Sequence, residues 1–200
     1  MARETRDVAH DLGYAAIFVA CDDSERKRFA GPGHVILETE IDQYASLPFV
    51  IGIGDGALRR KIFTRYFGAI NFINLIHPSV TFGYQQREEI EKKRGVIVCA
   101  GARFTSRIYI GNFTIFNVNA TVSHDCVVDE YTTVCPQACV LGNVEIQSGA
   151  WIGAGAVINQ GNNQTRRIIG KNTVIGSGAV VLNDCASNAV YVGVPARRIK

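Results

Sequence analysis

Apolar positions recur every six residues through the C-terminal half of the chain. From Val98 the series runs Phe104, Ile110, Phe116, Val122, Val128, Val134, Val140, Ile146, Ile152 and Ile158 without a break. With about a third of residues so apolar, an unbroken run of this length arises by chance on the order of once in 10⁵. The period slips once after Ile158 and resumes at Ile169, Ile175 and Val181. Two residues before each large position lies a mostly small one, among them Ala102, Thr114, Ala120, Cys126, Thr132, Ala138, Ala150 and Ala156. A helix needs period 3.6 and an ordinary strand period 2. Period six fits short strands joined at 120° corners, three to a coil. The prediction is an all-β left-handed parallel β-helix over 96–200. Gly111, Gly153, Gly170 and Gly176 follow large positions, where a tight turn is expected to use glycine's backbone freedom.

The N-terminal part alternates differently. Ala15–Ala20 and Phe49–Ile53 have strand composition, and Phe72–Ile76 suits a third strand. Helices are expected over Thr5–Leu12, ended by Gly13, and over Ala57–Phe67. Strands alternating with helices predict a small parallel sheet, an α/β unit over 1–83 with the character of a truncated Rossmann-like fold. Such sheets bind ligands at the C-terminal ends of strands, which is where Asp22, Asp23 and Gly54 fall. Each has a plainer reading too, as a turn residue, a solvated loop or a helix cap. The charged stretch 84–95 reads as an exposed linker.

Composition narrows the classes. Lys and Arg exceed Asp and Glu by only +3, too little to indicate nucleic acid or an anionic membrane as partner. Gly is high, at 20 of 200 residues, while Pro is only 5, which excludes collagen-like and Pro/Gly-rich disordered chains. The longest uncharged run, Ile146–Thr165, is interrupted by Gln and Asn and does not suit lipid. The N-terminus lacks the apolar core of a signal peptide, so the expected location is cytoplasmic, with the six cysteines as free thiols.

Of four histidines, only His124 lies in the repeat, within Val122-Ser123-His124-Asp125-Cys126. The six-residue frame points Val122 and Cys126 inward and leaves His124 and Asp125 outward near a corner. An adjacent carboxylate can orient an imidazole and raise its basicity, which is what a general base needs. Cys126 occupies a small inward slot and reads as core. Cys135 and Cys139 lack the second pair of a zinc site, and one histidine in the repeat cannot supply a three-histidine zinc centre. No metal is expected.

The blocks Asn119–Val128, Leu141-Gly142-Asn143-Val144, Trp151–Ala156 and the tail Val192-Gly193-Val194-Pro195-Ala196-Arg197 resemble the PglD/NeuD-type sugar acyltransferases, hexapeptide-repeat enzymes of bacterial glycan biosynthesis. Asp22-Asp23, Gly54-Asp55 and Leu75-Ile76-His77-Pro78 match as well. The resemblance implies a homotrimer that transfers acetyl from acetyl-CoA to an amino group of a nucleotide-linked sugar. It leaves sugar (sialic-acid-type) O-acetylation, or a non-catalytic scaffold, as alternatives. It makes His124 the general base and Asp125 its acidic partner, and places Asp22, Asp23 and Gly54 against the nucleotide-sugar. Ala154 and Ser177 would line the acetyl-CoA channel, and Gly142 would lie near the thioester. Thr133 stands where the family often has a second histidine near the acetyl group, and is counted with the acetyl-CoA-binding residues as a hydrogen-bonding group that cannot act as a base. The family's first strand and Gly-rich loop have no counterpart, so the chain is expected either to start late or to have lost part of the sugar-nucleotide site. The loop Asn159–Arg167, at the period slip, is expected to flank the CoA groove, with Arg166, Arg167, Arg197 and Arg198 available to phosphates.

Overall fold

The computed structural model describes residues 1–29, 34–162 and 164–200. The six-residue pattern becomes a parallel β-helix of triangular section. Its first face stacks Leu75–Ile76, Ile97–Val98, Ile115–Phe116, Thr133–Val134, Trp151–Ile152, Val174–Ile175 and Val190–Val192. The second face stacks Thr81–Phe82, Arg103–Phe104, Thr121–Val122, Cys139–Val140, Val157–Ile158 and Val180–Val181. The third stacks Tyr109–Ile110, Val127–Val128, Val144–Ile146 and Arg167–Ile169. Paired residues lie three hexads apart, as Phe104 with Val122 and Val122 with Val140. Identical slots therefore stack coil upon coil. Every large inward position from Val98 to Val181 is buried, and so are the small slots from Val96 to Ala179.

The corners have a rule of their own. The residue just before each small slot adopts positive φ, whether glycine (Gly101, Gly149, Gly155) or not (Arg107, Phe113, Asn119, Asp125, Tyr131, Gln137, Asn143). The expected role of the glycines after large positions is corrected here. Gly111, Gly153, Gly170 and Gly176 are not among the positive-φ residues. A Cβ on Gly111 would lie 2.2 Å from the Glu130 nitrogen, and one on Gly153 would lie 2.5 Å from the Ser177 nitrogen. Gly111, Gly153 and Gly170 admit the next coil's backbone, and Gly176 admits the Val192 side chain, 2.8 Å from where its Cβ would be.

The coil begins earlier than the sequence suggests. Strands β5 (Leu75–Ile76) and β6 (Thr81–Phe82) already pair with the first and second faces, so the boundary at 83 is corrected to lie before Leu75. The stretch 84–95 is no free linker either. It holds α4 (Gln86–Glu91), which covers the end of the third face where a further strand would lie. Ile90 of α4 is buried, and the Gln86 amide bonds both Ile108 backbone groups, at 2.7 and 2.9 Å. The open edge thereby receives the partners that buried peptide groups need. At the other end Val190–Val192 takes an antiparallel partner, Arg197–Arg198.

The N-terminal unit has helices α1 (Ala2–Asp11), α2 (Asp23–Phe29) and α3 (Gly56–Arg65). Among the described residues its strands form two separate parallel pairs. One joins β1 (Ile17–Ala20) to β2 (His34–Leu37), and the other joins β3 (Pro48–Phe49) to β4 (Asn71–Phe72). This corrects the expected truncated Rossmann-like sheet: β3 holds only two residues, β2 was not foreseen, and Leu75–Ile76 belongs to the solenoid. The unit packs on the outside of the first face. Val8 and Ala9 of α1 meet Ile97, Cys99 and Ile115, while Phe63 and Phe72 meet Phe113.

Arg59 of α3 crosses this junction wholly buried, 0% exposed. Its guanidinium donates to the carbonyls of Ile53 (2.8 Å), Gly54 (2.7 Å), Phe113 (2.9 Å), Tyr131 (2.7 Å) and Thr132 (3.0 Å), and to Thr133 Oγ1 (2.9 Å). Burial pulls its pKa down to about 10, which leaves it charged at neutral pH.

Candidate active site

His124 lies at the corner between the second and third faces. Three residues sit one above another at each level of that corner. Ser106, His124 and Gly142 form one column, and the positive-φ residues Arg107, Asp125 and Asn143 form the next. Two backbone bonds fix the stacking, Asp125 N to Ser106 O (3.2 Å) and Asn143 N to His124 O (2.9 Å).

The imidazole is 60% exposed, and its Nδ1 lies 2.7 Å from Asp125 Oδ2. Asp125 in turn receives the Arg107 guanidinium, whose Nη2 lies 2.8 Å from Oδ1 and 3.0 Å from Oδ2. The hydrogen bond with His124, followed by that with Arg107, holds the Asp125 carboxyl below its ordinary pKa. The carboxylate therefore stays ionised and occupies Nδ1, leaving Nε2 to face the groove.

Gly142 stands directly over the ring: a Cβ there would lie 2.7 Å from His124 Cε1 and 2.8 Å from Nε2. Its own N–H has no hydrogen-bond partner among the described residues. Beneath, the Cys126 thiol donates to Leu141 O at 3.1 Å, and burial pushes its pKa up to about 11. A thiol so placed is packed and inert.

The period slip falls at this same corner. The loop leaves the second face after Ile158 and re-enters the third at Arg167. It is tied down by Gly161 N to Gly142 O (3.1 Å) and Arg167 N to Asn143 O (3.0 Å). The Asn143 amide also donates to the carbonyls of Asn162 and, at 3.2 Å, Thr165. A groove of about 750 Å³ results, lined by Arg107, His124, Asp125, Gly142, Gln160 and Arg166 among others. Of the four arginines expected near phosphates, Arg166 lines the groove. Arg167 pairs instead with Asp184 at 3.2 Å, and Arg197 and Arg198 lie in the closing strand. Asn163, also placed in this loop by the sequence reading, lies outside the described residues.

His124, Asp125 and Gly142 line one groove, while the other candidates lie elsewhere in the chain. Ala154 and Ser177 are exposed at the corner between the first and second faces. Thr133 is buried on the first face, donating to Gly54 O at 2.7 Å beneath Arg59, and does not reach the groove. Asp22 caps α2 by accepting from Glu25 N at 2.8 Å, and Asp23 is the first residue of that helix. Gly54 lies against the exposed Trp151, whose ring is 3.1 Å from where a Cβ would be. Sequence reasoning missed Arg107 and Asn143, although both hold positions in the six-residue frame that stack on Asp125. No group of three or more metal-binding side chains occurs among the described residues, and none of the helices is long and apolar enough to cross a membrane.

No family model matches the chain. Over 106 residues, 53% of this chain, it is 38% identical to the GDP-perosamine N-acetyltransferase of Escherichia coli O157:H7, and the aligned stretch spans 48% of that protein. Among solved structures it is similar to PerB from Caulobacter crescentus in complex with CoA and GDP-perosamine. That match has a TM-score of 0.83 and 25% identity, and covers all of this chain and 92% of PerB. It is similar too to the acetyltransferase domain of PglB from Neisseria gonorrhoeae in complex with acetyl coenzyme A. There the TM-score is 0.82 with 25% identity, covering 98% of this chain and 93% of that domain.

Proposed function

From its kinship with hexapeptide-repeat sugar acetyltransferases, we propose that the chain transfers acetyl from acetyl-CoA to an amino group of a nucleotide-linked sugar, in the cytoplasm, for bacterial surface-glycan synthesis. The observation that carries this reading is the His124–Asp125 pair, at 2.7 Å, opening onto a groove beside the Gly142 N–H, which has no partner among the described residues.

His124 Nε2 accepts the proton that the sugar amine loses as its nitrogen attacks the thioester carbonyl carbon. Asp125 holds Nδ1, so the free lone pair faces the groove and the imidazolium that forms is stabilised. The Gly142 N–H stands ready to bind the oxygen that gains negative charge. When the carbon–sulfur bond breaks, His124 returns the proton to the departing thiolate. Acetyl passes directly between substrates, and no acyl-enzyme forms. Arg166, on the groove wall, is placed for a phosphate of CoA.

We place the sugar-nucleotide against Gly54, Asp22 and Asp23, and the CoA channel along Ala154 and Ser177. Within one chain these lie on other sides of the solenoid from His124. A homotrimer about a three-fold axis would bring them to a neighbour's His124, with the exposed Tyr109, Trp151, Ile168 and Val174 on outward strand positions. Thr133, sealed beneath Arg59, then acts on the acceptor side by holding the Gly54 carbonyl.

An acetyl-transfer screen over GDP-, UDP- and dTDP-amino sugars and free sialic acid, read by CoA release and product mass, tests the assignment. N-acetylated nucleotide sugar is the expected product. Turnover with sialic acid alone would move the reading to O-acetylation, and absence of acetyl-CoA binding would leave a scaffold.

A further inference from the structure

Asp125 is shared. Its two oxygens face the His124 imidazole on one side and the Arg107 guanidinium on the other. The meeting is set by the coil. Arg107 and Asp125 occupy the same positive-φ corner slot one turn apart, so their side chains leave the backbone in parallel. Arg107 is 78% exposed, and Asp125 accounts for its side-chain contacts among the described residues. An exposed arginine gains little stability from a surface carboxylate, and the solenoid core needs nothing from it. What the contact does is fix both oxygens of the residue that aims the base.

We propose that Arg107 is a positioning residue for the acetyl transfer: it clamps Asp125 and through it fixes the imidazole of His124. The proposal rests on His124 being the base. The charged and titratable groups facing His124 are Asp125 beside it, Arg107 one coil away, Arg166 from the loop, whose Nε lies 3.4 Å from Asp125 O, and the buried Cys126 thiol beneath. With Arg107 removed, the Asp125 carboxylate loses the contact that fixes its oxygens, and the imidazole it holds is less well aimed at the groove.

Arg107→Asn tests this. Asparagine tolerates positive φ, and it already occupies the same corner slot at Asn143, so the coil is preserved. The kcat is expected to fall roughly tenfold, with KM for acetyl-CoA nearly unchanged. Arg107→Lys, which keeps a cation able to reach the carboxylate, should restore part of kcat. An unchanged kcat in Arg107→Asn would overturn the proposal. So would a rise in KM for acetyl-CoA with no change in kcat, since Arg107 would then be a phosphate contact. His124→Ala, run alongside, separates the two claims: if it keeps near-normal turnover, the assignment of the base fails, whatever Arg107 does.

Discussion

Gly142 shows how narrowly one residue constrains the site. The imidazole of His124 lies where a side chain on Gly142 would be, 2.7 Å from the nearest ring carbon. Gly142→Ala should push the ring aside and lower kcat about a hundredfold, since a displacement near 1 Å is enough for that. Thermal stability should change little, because the ring is exposed and can move. Steady-state kinetics beside a melting curve checks both halves. His124 and Asp125 were legible in the sequence because the six-residue frame says which residues point outward and their chemistry is distinctive. Arg107 and Asn143 were not picked out, although they follow from the same frame carried one coil down and one coil up. A charged residue seventeen positions away looks unrelated until three hexads are seen to close one turn.

At the scale of the element, two kinds of glycine separate cleanly. Gly111 has an ordinary φ but the next coil's backbone 2.2 Å from its missing Cβ, whereas Gly155 has φ +64° and open space around it. Gly111→Ala forces two coils apart and is expected to cost roughly 3 kcal/mol. Gly155→Ala pays only the left-handed backbone penalty, about 1–2 kcal/mol. Urea midpoints of the two variants measure the difference, and equal losses would undo the distinction. The inward positions were legible from Val98 to Val181, since each short strand is fixed by one large inward side chain. Helix α4 was not. Its charges hid the fact that Ile90 and Gln86 face the open end of the coil, and only the unpaired edge at Ile108 explains why a helix lies there.

The whole molecule is held at its junction by Arg59, whose bonds run from the loop at Ile53 and Gly54 to three solenoid carbonyls. Arg59→Met keeps the aliphatic stem but leaves those buried carbonyls without donors. A loss of about 3 kcal/mol or more is expected in denaturant unfolding, with hydrogen exchange rising first around 53–54 and 131–133. This junction escaped the sequence because its partners are backbone groups, which carry no residue identity. The α/β strands were only half legible for a related reason: two-residue strands such as Pro48–Phe49 are made by the surface they dock on, and the sequence pattern exaggerates their length. The His124 corner faces away from the N-terminal unit, and in the proposed reaction a second copy is what brings Gly54 near the base. The central claim, that His124 is the proton acceptor, is tested most directly by measuring acetyl transfer to a GDP-linked amino sugar with His124→Ala beside the unmodified chain, together with acetyl-CoA affinity and native mass. Turnover should fall by roughly 10²–10⁴ while affinity and mass stay the same; near-normal turnover by the variant would contradict it.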